Sequence, residues 1–445
     1  MSYEARHCAR MSLAARPAPR DARRLALPLE RAAIVIGAVT LASALLVAPA
    51  PTYDSWAWLL WGREVASLSL STAEGPAFKP LPVAVCTVLS LLGPLAPVAW
   101  VLIARAGAAV AVWAAYRAGG ALAAVAVALT GAFVAYAASG VETGWTTAFA
   151  LLALLAWRDG RVRAALLWGA ACALLRVEAW PFLALAGVVV WRRQPELRPW
   201  LVVCAVTVPA LWFVPEWLGS GDPLRSGGRA RVPNPGQPAT AAVPALAALR
   251  EAAALPLWPL WFGALFTPAR LRPLALAGLA WIALVAVMAQ AGFAGEPRYS
   301  LPGGACVAVA GAAGLLALAR RKRAYAVAIA LALLVAAVPK LATLPELRRA
   351  QAYQWALDAD LQRAIERAGG RDALLTCGRP YVGNLRGPLL AYRLGVQKRR
   401  VAFAPRPPGV VFQSRLDAAA SVEPTAAGFL PRTHTAHWAV WVRCA

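Results

Sequence analysis

Residues 51–64, PTYDSWAWLLWGRE, directly follow an apolar run at residues 32–50, AAIVIGAVTLASALLVAPA. The run has about the length that a helix needs to cross a bilayer. Asp54 comes just after it, among tyrosine and tryptophan side chains that favour the membrane–water interface. A charged group at membrane depth is costly and usually lines a cavity or a functional site. The stretch therefore indicates a membrane protein with a chemically important carboxylate at its surface.

The composition of the whole chain also indicates a membrane protein. Of its 445 residues, 60% are hydrophobic, and the mean hydropathy is +0.57. The net charge of +24 comes mostly from arginines in short loops and tails, where they orient helices, so we expect no nucleic-acid partner. The seven cysteines include no CxxC pair and no Cys/His cluster, so no metal site is predicted. We predict a polytopic α-helical protein of the plasma membrane, in contact with membrane lipids.

Clusters of arginine between the apolar runs predict the topology. If each cluster is cytoplasmic, the runs must cross the membrane in alternation. The basic N-terminal tail, 1–31, is then cytoplasmic, and residues 80–93 form a re-entrant or juxtamembrane helix in the first outer loop, 51–96. A membrane domain at 32–340 follows, with about eleven spans at the ~20-residue standard. The predicted spans are 32–50, 97–116, 120–138, 143–157, 162–176, 178–191, 199–217, 255–268, 272–291, 299–319 and 323–340.

The composition changes after Lys340, and we predict a small extracytoplasmic α/β domain at 341–445. A long helix, LPELRRAQAYQWALDADLQRAIERAGG, opens it and ends at the glycines. We predict strands at DALLTC, RRVAFA, GVVFQ and HWAVWVRC, with a helix at GPLLAYRLG between them. Cys377 and Cys444 lie in this domain. Outside the cytoplasm they form either a disulfide or two buried free thiols.

The predicted topology brings charged residues together on the outer face. They are either ordinary loop charges at helix ends or the lining of a shared cavity, which the number of charged loops favours. The acids are Asp54, Glu142, Glu178 and Glu296, and the bases are Lys79, Arg176 and Arg298.

Two further features concern the same face. Arg105 lies within the span at 97–116, so we expect it to have an anionic partner, either in a buried ion pair or in a bound phosphate. The outer loop 218–254 is either a plain linker or a lid that brings three charged residues near a ligand. Those residues are Asp222, Arg225 and Arg229.

Four motifs, in this order, resemble the membrane-embedded glycosyltransferases of the GT-C superfamily. They are FKPLP (78–82), SGVETGWTTAFALLALLAW (139–157), ALLRVEAWPFLAL (173–185) and GEPRYSLPGGACVAVAGAAG (295–314). The last three are similar to the family patterns SGLET, ALTRPEGLLL and EPRYLLPALPLLALLAG. The resemblance covers most of residues 32–340. Within the superfamily, it is nearest to actinobacterial arabinofuranosyl- and mannosyltransferases of the cell envelope.

The resemblance implies an inverting transfer of a hexosyl or pentosyl group on the outer face. The donor is a polyprenyl-phosphate sugar, and the acceptor is a glycan, lipid or protein of the cell envelope. Asp54 is the implied general base, with Glu64 or Glu142 as alternatives. Lys79, Arg105, Arg176 and Arg298 are the implied phosphate-binding residues. The implied sugar- or acceptor-binding residues are Tyr53, Trp56, Trp58, Glu178, Glu296 and Tyr299.

One departure from the family and three alternatives remain. Many relatives carry a second acid beside the first-loop aspartate, where this chain has Ser55, so we predict no metal and no other cofactor. Asp54 could instead be only a helix N-cap. The chain could also be a transporter or flippase for an envelope lipid or glycan, although it has no inverted repeat. A non-catalytic envelope-assembly protein is the third alternative.

Overall fold

The computed structural model describes residues 29–383, 385–423 and 427–444. The predicted cytoplasmic tail lies almost entirely outside the described residues. The chain is mainly helical up to Cys377, and the strands of a small sheet begin at Arg379.

Sixteen helices make up the described part of the chain before residue 343. They are α1 (Leu29–Leu46), α2 (Tyr53–Ala66), α3 (Pro80–Leu89), α4 (Ala96–Gly119), α5 (Ala121–Ala128), α6 (Phe133–Ala138), α7 (Thr143–Arg158), α8 (Val162–Ala173), α9 (Trp180–Arg193), α10 (Arg198–Ser220), α11 (Arg225–Ala230), α12 (Pro244–Ala253), α13 (Trp258–Ala264), α14 (Arg272–Gln290), α15 (Pro297–Ala319) and α16 (Arg323–Ala342).

Five helical segments of the described chain are long and apolar enough to cross a membrane. They are Pro80–Gly119, Pro195–Ser220, Ala269–Gln290, Pro297–Ala319 and Arg323–Arg367. The count of eleven spans is therefore not confirmed, and two predicted spans are wrong as single helices. Residues 120–138 are divided into α5 and α6 at Gly131, whose φ of +54° suits a residue without a Cβ. Of residues 255–268, only the seven of α13 are α-helical.

Helix α15 lies at the centre of the membrane domain. It is rich in small residues, so neighbouring backbones can approach closely. A Cβ on Gly303 would lie 2.6 Å from the carbonyl oxygen of Gly278 in α14, and one on Gly314 would lie 1.9 Å from that of Gly263 in α13. These close approaches explain why α15 is almost wholly buried despite its length.

The segment predicted to be the first outer loop forms a pair of packed helices. Helix α2 lies against α3, and a Cβ on Gly62 would lie 2.4 Å from the backbone carbon of Cys86. A 3-10 turn, Ser90–Leu95, then leads directly into α4. The predicted helix at 80–93 is thus present over Pro80–Leu89, and its position relative to the bilayer stays a prediction.

The C-terminal region consists of three helices and a five-stranded sheet. The helices are α17 (Leu344–Arg367), α18 (Gly370–Cys377) and α19 (Gly387–Leu394). The strands are β1 (Arg379–Tyr381), β2 (Gly409–Arg415), β3 (Val422–Glu423), β4 (Leu430–His434) and β5 (Ala439–Arg443), in the order β1-β2-β5-β4, with β3 paired to β2. Strand β1 is parallel to β2, and the other pairs are antiparallel.

The sequence predicted part of this region correctly. The long opening helix, the helix at GPLLAYRLG and the strands at GVVFQ and HWAVWVRC are confirmed. The strand at DALLTC is wrong, because these residues form α18, and RRVAFA forms a 3-10 turn and an isolated bridge. Cys377 and Cys444 are joined in a disulfide, as one of the two alternatives predicted.

The C-terminal region packs on α2, the helix that carries Asp54. Trp56 contacts the ring of Tyr392 at 5.2 Å between centroids, and Arg63 donates to the Tyr392 carbonyl at 2.9 Å. Lys398 pairs with Glu74 at 3.2 Å. Buried side chains of both regions form one hydrophobic cluster, so α2 has a fixed position between them.

Candidate functional site

Seven of the predicted outer-face charges lie at or next to the N-terminal ends of helices that meet at one place. We call them the outer charge cluster. Asp54 is in the first turn of α2, and Lys79 and Glu142 directly precede α3 and α7. Helix N-termini carry partial positive charge, so their convergence favours a negatively charged ligand. The cluster consists of Asp54, Lys79, Glu142, Arg176, Glu178, Glu296 and Arg298.

The SGVET motif is held against α2 by its glycine. Gly140 has a φ of +80°, and its carbonyl accepts from Ser55 Oγ at 2.8 Å and from Trp100 Nε1 at 2.9 Å. A Cβ on Gly140 would lie 3.1 Å from Ser55 Oγ. A larger residue would thus be strained and crowded there. This contact positions Glu142, two residues later, beside the helix that carries Asp54.

The deep half of the cluster is closed to solvent. Glu142 pairs with Lys79 and lies 3.9 Å from Arg176, and Glu178 accepts from Arg176 Nε at 3.0 Å. Both glutamate side chains are 2% exposed. The Arg176 guanidinium lies 3.6 Å from the centroid of the Tyr299 ring. Burial alone would raise the pKa of Glu142, but Lys79 and the two arginines outweigh it and hold that pKa at about 2.

The shallow half of the cluster can be reached from outside. Arg298 Nη1 donates to Asp54 Oδ2 at 2.8 Å, and Arg298 also pairs with Glu296. The side chains of Asp54, Arg298 and Glu296 are 15%, 16% and 23% exposed. Asp54 is therefore better placed than Glu142 to meet a substrate.

The structure does not place Asp54 at the N-cap of α2. Thr52 occupies that position, and Asp54 lies inside the first turn, where its carboxylate faces Arg298. The N-cap explanation for Asp54 is therefore wrong.

The aromatic residues beside Asp54 are mostly packed inside the protein. Trp58 is fully buried and lies 5.1 Å from the Lys79 ammonium, while Trp56 is buried against Tyr392. Tyr53 is half-buried. Its burial, and to a smaller extent the charge of Asp54, raise the pKa of Tyr53 to about 12. Of these three rings, Tyr53 is the one that a sugar or an acceptor could reach.

Glu64, the alternative base, lies at the other end of α2. Ten residues separate it from Asp54, which corresponds to ~15 Å along a helix axis. It is buried and accepts from the backbone N–H of Ser71 at 2.9 Å. Burial raises the pKa of Glu64 to about 7. The structure thus separates Glu64 from the outer charge cluster.

Arg105 also lies apart from the cluster. Its guanidinium donates to the carbonyls of Ala48 and Ala138 at 3.1 and 3.0 Å and to Ser43 Oγ at 3.2 Å. Within the described residues, these contacts replace the anionic partner that we expected. Ala138 is the last residue of α6, and the carbonyls at a helix C-terminus carry partial negative charge. Together with the Ala48 carbonyl, just beyond α1, the Ala138 carbonyl stabilises the cation without a carboxylate.

The predicted lid residues do not contact the cluster acids. Arg225 binds the buried Glu216 through two hydrogen bonds, of 2.9 and 3.1 Å, and Arg229 donates to the carbonyl of Val232. Asp222 is exposed and accepts from the N–H of Leu224. The same loop brings Gln237 to Glu296 instead. No motif in the sequence pointed to Gln237, because only the folded loop places it there.

An apolar cavity of about 120 Å³ lies between α7, α8, α9, α14 and α15. Its walls include Cys172, Phe182, Trp281 and Cys306. Trp281 Nε1 donates to the carbonyl of Tyr299 at 2.8 Å, so this wall is joined to the residue next to Arg298. A hydrocarbon chain could enter the cavity while a charged headgroup stays at the cluster.

Solved structures of one protein match nearly the whole chain. ArnT from Cupriavidus metallidurans bound to undecaprenyl phosphate is 14% identical, with a TM-score of 0.53 over 92% of this chain and 97% of that one. The chain has the ArnT fold. ArnT in the apo state is 16% identical, with a TM-score of 0.48 over 93% and 96% of the two chains. This shared fold agrees with the fold that the resemblance to the GT-C superfamily implies. No family model matches the chain, and no curated protein matches its sequence.

Proposed function

We propose that this protein is a glycosyltransferase that moves a sugar from a polyprenyl-phosphate donor to an acceptor on the outer face of the membrane. The observation that carries the proposal is the pair of Asp54 and Arg298 at the accessible side of the outer charge cluster. It places a candidate base directly beside a candidate phosphate-binding group. The ArnT fold agrees with this proposal, since ArnT was crystallised with undecaprenyl phosphate.

The donor is proposed to bind through both its headgroup and its chain. Arg298 binds the phosphate, because its planar fork matches phosphate geometry. Lys79 and Arg176 lie behind it and add positive potential, although both are paired with glutamates. The first part of the polyprenyl chain occupies the apolar cavity beneath Tyr299. Arg105 is left out of the site, because carbonyl groups already hold it.

The transfer is a single displacement at the anomeric carbon. The acceptor hydroxyl oxygen attacks that carbon, and Asp54 takes the hydroxyl proton. The bond between the anomeric carbon and the phosphate oxygen breaks, and its electron pair leaves with polyprenyl phosphate. Arg298 stabilises the negative charge that develops on this leaving group. Attack opposite the leaving group inverts the anomeric configuration.

The sugar and the acceptor are proposed by class only. The resemblance favours arabinofuranosyl or mannosyl transfer to a glycan, lipid or protein of the cell envelope. Tyr53, Tyr299, Glu178 and Glu296 are the candidate groups around the sugar, of which Glu178 is the most deeply buried. Trp56 and Trp58 of α2 are buried in the hydrophobic cluster, so their proposed role is to hold α2 in position.

The test is sugar transfer by the purified protein in lipid nanodiscs. A panel of radiolabelled polyprenyl-phosphate sugars, including arabinofuranose and mannose, is supplied with extracted envelope glycans and lipids as acceptors. Transfer that Asp54→Asn abolishes supports the proposal. If no donor is used, while the protein moves a labelled lipid between the leaflets of vesicles, the flippase alternative is correct instead.

A further inference from the structure

The outer segment 221–243 is fixed against the outer charge cluster at two points, and we call it the strap. The first point is near Lys79. Ser226 Oγ accepts from the N–H of Phe78 at 2.6 Å, and Arg225 donates to the carbonyl of Pro76 at 2.8 Å while it binds the buried Glu216. The strap thus holds the residues that directly precede a cation of the cluster.

The second point is Gln237. Its Oε1 accepts from the backbone N–H of Asn234 at 2.7 Å, and its Nε2 donates to Glu296 Oε1. The bond from Asn234 fixes the orientation of the amide, because the oxygen must face that N–H. The amide nitrogen is then left to face the carboxylate. The N–H of Ala239 also donates to the carbonyl of Ala294, at 3.4 Å.

Glu296 connects Gln237 to the candidate base. One carboxylate oxygen of Glu296 accepts from Gln237, and the other pairs with Arg298 Nε. Arg298 in turn donates to Asp54 at 2.8 Å. A continuous chain of polar contacts therefore runs from the strap to Asp54. Each oxygen of Glu296 has a different partner, so loss of Gln237 would leave one oxygen free to compete for the arginine.

Between the two points, the strap contacts the neighbouring residues 293 and 294: the N–H of Ala294 donates to the carbonyl of Ala230 at 3.3 Å, and Arg231 lies 4.7 Å from the centroid of the Phe293 ring. A Cβ on Gly227, Gly228 or Gly236 would meet no atom within 4 Å. Glycine also has the widest backbone freedom of any residue. Gly236 directly precedes Gln237 and has open space around it, so the backbone beside Gln237 is uncrowded.

We propose that Gln237 is a positioning residue that holds Glu296, and through it fixes Arg298 against Asp54 in the closed strap. The inference rests on the proposed function, because it assigns Gln237 to the same transfer reaction. It predicts that a change at a loop glutamine, which touches neither Asp54 nor Arg298, alters the rate of transfer.

The first experiment compares Gln237→Ala with Gln290→Ala. Gln290 is the matched control, because its side chain also binds the outer loop, at the N–H of Ala245, but lies outside the chain of contacts to Asp54. We expect Gln237→Ala to lower kcat about tenfold with a small change in acceptor KM, the size expected for a lost hydrogen bond to a charged group. Gln290→Ala should leave both unchanged. Equal kinetics in the two variants would overturn the proposal.

A pH profile separates positioning from a merely structural role. Gln237→Glu places two carboxylates against each other, and they can bond only when they share a proton. Transfer by Gln237→Glu should therefore recover toward the wild-type rate as pH falls, whereas transfer by Gln237→Ala should not. If the two variants have parallel pH profiles, Gln237 does not act through Glu296.

A third measurement does not need the reaction. Trypsin can cut the strap after Arg229 and Arg231, and its cleavage rate reports how often the strap opens. Gln237→Ala should be cut several-fold faster than the wild type and Gln290→Ala. If the wild type transfers no sugar, the proposed function fails, and the cleavage rates alone decide whether Gln237 fixes the strap. Equal rates would overturn the inference.

Discussion

Arg298 donates to Asp54 at 2.8 Å across 244 positions of the chain. The two residues come from the first turns of α2 and α15, so two helix N-termini meet at this contact. The contact keeps the Asp54 carboxylate beside the cation that is proposed to bind the donor phosphate. A phosphate that engages Arg298 would therefore compete directly with Asp54 for the guanidinium.

Asp54→Asn tests the base directly. The change removes the proton acceptor but keeps the size of the side chain, so transfer should fall by about 10²–10⁴-fold. The unfolding temperature and the affinity for the donor should stay close to those of the wild type. Asp159→Asn is the matched control, because Asp159 forms an ion pair at the far end of α7. Near-normal transfer by Asp54→Asn would remove Asp54 from the mechanism and leave Glu142 as the acid to test.

Arg298→Lys tests the phosphate site. Lysine keeps the charge but cannot present the guanidinium fork to Asp54, Glu296 and a phosphate together. We expect the affinity for polyprenyl phosphate to fall about tenfold or more, while the unfolding temperature changes little. Arg363→Lys serves as the control, because Arg363 is an exposed arginine that pairs with Asp360 in the C-terminal region. Donor binding that stays at the wild-type level would contradict the proposed role.

Glu64 should make stability depend on pH. Its pKa is about 7 in the folded protein, against a reference value of 4.5, so the folded state holds the proton more tightly. The resulting stabilisation is full below pH 4.5 and is lost as pH rises through 7. Glu64→Gln keeps an oxygen for the Ser71 N–H and cannot ionise, so its unfolding temperature should fall less than that of the wild type between pH 5 and 8. Parallel curves would show that Glu64 has an ordinary pKa.

Arg105→Met should destabilise the protein without a specific effect on the donor. The change removes the hydrogen bonds to the carbonyls of Ala48 and Ala138, of which the Ala48 carbonyl still accepts from the N–H of Ala50 at 3.0 Å. An unsatisfied buried carbonyl costs about 1–3 kcal/mol. We expect a lower unfolding temperature and an unchanged donor KM in the fraction that folds. A large rise in donor KM at unchanged stability would show that Arg105 does bind the donor phosphate.

The topology is tested by cysteine labelling in intact cells. Arg161 and Pro223 are both exposed, and the arginine clusters predict that they lie on opposite sides of the membrane. An impermeant thiol reagent should label Pro223→Cys from outside, and Arg161→Cys only after permeabilisation. The reverse pattern would exclude the predicted orientation and the outer-face reaction with it.

The sequence predicted the members of the outer charge cluster because each lies where an apolar run begins or ends. Such positions fix the side of the membrane, and residues on one side at helix ends can converge. The partners of Arg105 could not be predicted in the same way, because they are backbone carbonyls, which every residue has. The contact of Gln237 with Glu296 could not be predicted either, because it depends on how a long loop folds, and the sequence of that loop has no periodic pattern.

The C-terminal region was harder to predict for a related reason. Short apolar runs such as DALLTC suit a strand or a buried helix equally well, and their packing decides between the two. In the structure, Leu374 and Cys377 face the shared hydrophobic cluster from α18. The strands predicted correctly, β2 and β5, are rich in valine and aromatic residues, which favour pleated surfaces.

The outer charge cluster contains four carboxylates and three cations, and each of the three cations is already paired with a carboxylate. An anionic headgroup can be accommodated there by ion exchange, in which it takes Arg298 from Asp54. Under the proposed function, binding of the donor therefore also releases the candidate base from its ion pair with Arg298. The empty site would then be held inactive by its own salt bridge, and the donor itself would open it.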